Sequence, residues 1–132
     1  MSTTVNPYTK LKLSEAEDIA AGFGLGEMGE MRFVTEQLAG EDTGLSHQKL
    51  RAGARQPFGH RHDSAEEVYL VIAGAGRVKL DEEIVDIEKL DAIRVAPGVT
   101  RAFEAGEEGL ELLAFGARHK GDGEVIQGWW SD

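Results

Sequence analysis

The sequence contains no cysteine, which removes disulfides, thiolate ligands and thiol nucleophiles, so any metal must be held by imidazole and carboxylate groups. Basic residues are scarce: 14 lysines and arginines stand against 24 aspartates and glutamates, a formal charge of −10. That balance opposes nucleic acid, whose phosphates demand cationic neutralisation, and anionic membranes; neither is expected as a partner. No apolar run approaches the ~18–20 residues of a membrane span. Met1 to Lys10 lacks the ~7–15-residue apolar stretch of a secretory leader, so the expected compartment is the cytoplasm. What is present is an ordinary globular composition, 41% apolar and 29% charged, in 132 residues. That length has room for one domain with a real core.

Helical patterning is nearly absent as well. Residues 1–30 read as a polar arm with one short helix over Ser14 to Ala21, where Ser14 and Glu17 have the spacing of a capping box. The cluster Gly22, Gly24, Gly26 and Gly29 ends it. These glycines neither follow a strand nor open a long helix, so they are not a dinucleotide fingerprint.

Residues 31–118 are a succession of short segments with strand-type alternation. They run Met31 to Leu38, Gly44 to Leu50, Glu67 to Ile72, Arg77 to Leu80, Ile84 to Ile87, Ala92 to Val95, Arg101 to Glu104 and Leu110 to Phe115. Turns are expected at Gly74-Ala75-Gly76, Asp81-Glu82-Glu83, Pro97-Gly98 and Gly106 to Gly109. Evenly spaced short strands without intervening helices point to an all-β closed barrel or sandwich rather than a parallel sheet. Residues 119–132 read as a loop-like tail, with Trp129-Trp130 pinning it onto the barrel or a partner subunit, because burying indole is strongly favourable.

The chemistry is concentrated between Pro57 and Tyr69. Positions two apart on a strand face the same side, ~6.5–7 Å apart, so His60 and His62 direct both imidazoles at one point. Asp63-Ser64-Ala65 reads as a turn that brings a glutamate back across the pair. Two histidines with one carboxylate form a facial set that suits divalent metals and leaves positions open for substrate. Alternation leaves the glutamate undecided, since Glu66 shares parity with Val68, Leu70 and Ile72, and Glu67 with Tyr69 and Val71. An isolated H-x-H is weak by itself and is more often a pair of surface histidines.

Context strengthens it. Gly53, His60, His62, Glu67 and Gly74 follow the order and spacing of the first cupin motif, and Leu90 to Phe103 resembles the second. The chain is thus similar to cupins over roughly Gly44 to Phe115. The resemblance implies a double-stranded β-helix, or jelly-roll barrel, with His60, His62 and Glu67 as ligands of a divalent Fe, Mn, Ni or Zn ion. The family spacing to Gly74 selects Glu67 over Glu66.

Where the second motif normally carries a fourth ligand, a histidine, this chain has Arg101, which offers only donors and cannot bind a metal. Three arrangements compete: Arg101 reaches an anionic substrate beside the ion, pairs with Glu67 in place of the ion, or turns outward. Tyr69, Phe103 and Phe58 are aromatic candidates for the pocket wall, with plain core as the competing reading. His47 shares parity with Lys49 and Arg51 and faces outward, a poor substitute ligand; His119 reads as a solvated loop residue. Asp81-Glu82-Glu83 is a hairpin tip without the ligand spacing of a calcium loop. Ser46 beside His47 and Ser64 beside His62 are sequence neighbours only and make no nucleophile case.

Function stays open between two classes, because fold alone fixes neither. One is a metal-dependent oxygenase or isomerase acting on a small anionic molecule. The other is a metal-free sensor or carrier in which Arg101 replaces the fourth ligand. Cupins resemble one another in pairing barrel to barrel, so a homodimer is expected.

Overall fold

In the computed structural model, which describes residues 7–117 and 122–130, eight strands form one curled antiparallel sheet. The strands are β1 (Gly29–Phe33), β2 (Thr43–Leu50), β3 (Gly59–His62), β4 (Glu67–Leu80), β5 (Glu83–Glu88), β6 (Ala92–Val95), β7 (Arg101–Ala117) and β8 (Gly123–Ile126). Long β7 is the spine, pairing with β2, β3 and β4, while β4 also pairs with β5 and β6. This is the all-β barrel expected from the alternation. Its inner face buries Leu50, Tyr69, Val71, Val78, Phe103, Leu110 and Leu112. Each such side chain contributes roughly 1.5–3 kcal/mol on leaving water.

Two expected turns are instead bulges inside continuous strands. β4 runs through Gly74-Ala75-Gly76 and β7 through Gly106 to Gly109, with the register shifting between Val71 and Ala73 and again between Gly74 and Gly76. Gly74 has φ +75°, and a Cβ there would lie 2.1 Å from the carbonyl oxygen of Gly109. Glycine therefore lets two paired strands bend together around the barrel without breaking their ladder. The turn at Asp81-Glu82 closes a true hairpin, with Leu80 opposite Glu83.

The short helix over Ser14 to Ala21 shrinks to two single 3-10 turns, Leu13–Glu15 and Ala21–Phe23, and the Ser14–Glu17 capping box does not form. Asp18 does the anchoring instead: its Oδ1 accepts the N–H groups of Ala20 and Met31, both at 3.0 Å. Arg32 Nε donates to Ala16 O at 3.1 Å. The arm is thereby tied to β1. The tail is not all loop, since β8 extends the sheet beside β3, with His60 opposite Val125 and His62 opposite Gly123. Beyond it Trp130 Nε1 donates to Gln56 O at 2.6 Å and its ring sits under the Arg55 guanidinium. No helix among the described residues is long and apolar enough to cross a membrane.

Candidate metal and ligand site

β3 presents His60 and His62 on one face, ring centroids 5.6 Å apart and perpendicular. The turn at Asp63 to Glu66 then reverses the chain, so that Glu67, the first residue of β4, faces them. Glu67 Oε1 lies 3.3 Å from His62 Nε2 and 3.8 Å from His60 Nε2. One ligand atom from each of the three residues falls within 4.8 Å of the others. The ambiguity between the two glutamates is resolved by what packs behind them: Glu67 shares its face with buried Tyr69 and Val71, while Glu66 is exposed and bonds Arg94 at 3.1 Å.

Arg101 stands opposite His60 in the β3–β7 ladder. Its side chain is 0% exposed. Nη2 donates to Glu67 Oε1 at 2.5 Å, Nε to the Tyr69 hydroxyl at 3.0 Å and Nη1 to Val99 O at 2.8 Å. The expectation that Arg101 reaches a substrate is corrected on this point, as is the outward alternative: a guanidinium sealed in the wall with three bonds touches neither cavity nor solvent. Tyr69 OH donates to Glu67 Oε1 at 2.6 Å and lies 3.3 Å from His60 Nε2.

These contacts fix the protonation states. Burial works to raise the Glu67 pKa, but hydrogen bonds from His60, His62, Tyr69 and Arg101 together hold it far below the usual carboxylate range. Burial, reinforced by the Glu67 charge and opposed by Arg101, pushes the Tyr69 hydroxyl far above its ordinary value. Glu67 is thus an anion, and Tyr69 a neutral donor.

The donor set fits a divalent ion. His62 Nδ1 is buried and makes no hydrogen bond among the described residues, and it faces Asp122 Oδ2 at 3.6 Å. Asp122 is itself held by the N–H groups of Asp63, Ser64 and Ala65, each at 2.9 Å. Burial works against its charge, but these three bonds carry its pKa below the usual value. An imidazole backed by a carboxylate on one nitrogen, with the other aimed at an acidic centre, is oriented as a metal-bound histidine is.

The site opens into a cavity of about 380 Å³ whose wall includes His60, His62, Glu67 and Tyr69. Leu25, Met28, Met31, Phe33, Phe58 and Val125 supply an apolar side, and among the described residues no lysine or arginine lines it. Phe58 and Tyr69 therefore reach the cavity as anticipated. Phe103 does not: it is fully buried and packs on the Tyr69 ring at 4.7 Å, supporting the tyrosine from behind. A wider hollow, about 660 Å³, lies over Asp86, Glu88, Asp91 and the Arg77–Glu104 pair, and none of the described histidines lines it.

His47 is on the outer face, as its parity indicates, yet it is buried there and bonds Glu111 at 2.6 Å. His119 lies outside the described residues. The sequence reading missed Asp122, which no motif marks, and the buried pair Gln48 and Gln56. Gln48 carried a usable signal, since a polar residue sharing the parity of Leu50 on a strand faces inward.

Fold and site together define a small all-β barrel with an internal His-His-Glu centre. Residues 46–116, more than half of the chain, match the family described as the cupin domain, and the chain belongs to that family. Among solved structures it is similar to a cupin protein from Bacteroides fragilis (TM-score 0.71, 23% identity, 89% of each chain covered). It is similar to oxalate decarboxylase from Bacillus subtilis (TM-score 0.74, 22% identity), covering 94% of this chain but only 33% of that one. KdgF from Halomonas sp. shares the fold at TM-score 0.58 and 19% identity, over 69% of this chain and 80% of that one. At these identities the likeness establishes the fold alone. No curated protein matches the sequence.

Proposed function

We propose that this cupin binds a small molecule beside a divalent transition metal, either Fe, Mn, Ni or Zn, held by His60, His62 and Glu67. The observation that carries this is the convergence of the three ligand atoms at the cavity wall, with His62 buttressed by Asp122. A bound ion would supply Lewis acidity toward an oxygen of the ligand. The protein's own residues do the rest. Tyr69 keeps its proton on the cavity side of Glu67, Arg101 holds the carboxylate ionised and oriented, and the apolar wall excludes water from the ligand's body. An oxygenase or isomerase is the enzyme class such a centre suits. The anionic character expected of the ligand rested on Arg101, and with that cation sealed off the reading passes to a ligand without a required charge.

A metal-free carrier has its own supporting observation, the Arg101–Glu67 pair on the very oxygen a metal would use. Metal analysis separates the two. Protein purified without chelator is expected to carry about one equivalent of transition metal, and His60→Ala to carry none. Failure of the wild type to take up iron, manganese, nickel or zinc offered in turn would establish the carrier. Homodimer formation stays part of the proposal. Val68 and Phe115, half-exposed neighbours across the β4–β7 ladder, are the face it would use, and light scattering giving the mass of one chain would end it.

A further inference from the structure

The cavity wall includes a polar side chain, Gln48, with no partner among the described residues for its donor, and the direction of that donor is fixed by a relay. The Phe103 backbone N–H lies 3.1 Å from Gln56 Oε1. A backbone N–H can only donate, so the Gln56 carboxamide must turn its oxygen toward Phe103 and its nitrogen the other way. That nitrogen is 2.5 Å from Gln48 Oε1. Gln48 is therefore the acceptor, and its own Nε2 is left to point elsewhere.

Elsewhere is the cavity. Gln48 lines it, is only 5% exposed, and sits in the sheet between Met31 of β1 and Leu112 of β7. Its Nε2 has no acceptor among the described residues. The Gln56 main chain is held as well, its backbone carbonyl accepting from the indole of Trp130 and its N–H donating to Phe103 O. A donor in a nearly buried side chain, with no protein acceptor among the described residues, gains a hydrogen bond from a ligand that supplies one.

From this relay we infer that Gln48 selects the ligand, and that the ligand is an uncharged molecule with an apolar body and a carbonyl-type oxygen. The inference rests on the proposal that this cavity is the ligand site. The surroundings agree with it. The wall offers Met28, Met31, Phe33 and Phe58 to an apolar body, and among the described residues it carries the carboxylates of Glu67 and Glu124 but no lysine or arginine, which disfavours an anion. A cavity of about 380 Å³ admits a bicyclic molecule.

The test uses a matched pair of probes, 1-indanone and indane, which differ in the acceptor oxygen. Both are titrated by NMR into the full-length protein, zinc-loaded and chelator-treated, with the Met28 and Met31 methyl resonances reporting occupancy of the cavity. Wild type should bind 1-indanone roughly fivefold more tightly than indane, the worth of one neutral hydrogen bond. Gln48→Leu should bring the two to parity. Gln48→Glu keeps the acceptor for Gln56 and loses the donor, so it should also lose the ketone preference and favour the hydroxyl donor 1-indanol. An undiminished ketone preference in a folded Gln48 variant, or no binding of either probe to wild type at millimolar concentration, would overturn the inference. Absence of zinc uptake with the Gln48-dependent preference intact would instead count against the metal and leave the inference standing.

Discussion

Arg101 and Glu67 form a buried ion pair, Nη2 to Oε1 at 2.5 Å, at the point where the barrel's two imidazoles converge. The pair sets the electrostatics of the site. A fixed positive charge beside a metal position weakens cation binding, and a unit charge at ~4 Å is worth several kcal/mol even at an effective dielectric of ~20. Arg101→His removes that charge and adds a ligand-type nitrogen, so metal affinity should rise about tenfold or more. Isothermal titration with zinc measures it, and an unchanged Kd would show that Arg101 does not govern the centre.

Asp122 should matter to the ion without touching it. Asp122→Ala frees the His62 ring and is expected to lower metal affinity roughly 10–100-fold, the usual cost of losing a carboxylate behind a ligating histidine. Because the same carboxylate also caps Asp63, Ser64 and Ala65, thermal unfolding of the metal-free variant should be recorded alongside. An affinity equal to wild type would mean the ring needs no such support.

Acid should weaken the fold through Glu104. Burial works to raise its pKa, but hydrogen bonds from Arg77 and Arg55 at 2.5 and 2.6 Å outweigh that and place it below the usual range. A carboxylate with a depressed folded pKa stabilises above its unfolded value, ~4.3, and that contribution is lost as pH falls through the folded value. Glu104→Gln should therefore cost about 1–3 kcal/mol at pH 7 and flatten the decline in Tm below pH ~4.5. Parallel Tm profiles from pH 3 to 7 for both proteins would refute this.

Two glycines of the first motif should respond differently to alanine. Gly53 and Gly74 both have positive φ, +72° and +75°, but a Cβ meets nothing within 4 Å at Gly53 and backbone at 2.1 Å at Gly74. Gly53→Ala should cost about 1 kcal/mol, the left-handed penalty alone. Gly74→Ala should cost roughly 2–4 kcal/mol, because the β4–β7 ladder must shift as well. Urea titration of the two variants compares them, and equal midpoints would mean the close approach at Gly74 relaxes freely.

The alternation of the chain determined that this protein is an all-β barrel, and the H-x-H spacing put His60 and His62 on one face. Those features are local: residue parity and imidazole placement on a strand need no knowledge of a partner. Alternation alone left Glu66 and Glu67 undecided; the resemblance to the cupin motif favoured Glu67, whose place beside buried Tyr69 and Val71 explains why it faces the histidines. Tertiary structure decided the rest. Glycines at 74 and 106–109 read as turns, and only the facing of two bulges keeps β4 and β7 continuous. The fate of Arg101 depended on Glu67, Tyr69 and Val99 closing around it, contacts that span up to 34 residues. The Gln56–Gln48 relay takes its polarity from one backbone N–H 47 residues away, and Asp122 meets His62 through a tail strand with little alternation of its own. Side-chain periodicity records which face a residue takes, whereas hydrogen-bond direction and charge pairing exist only once distant segments have met.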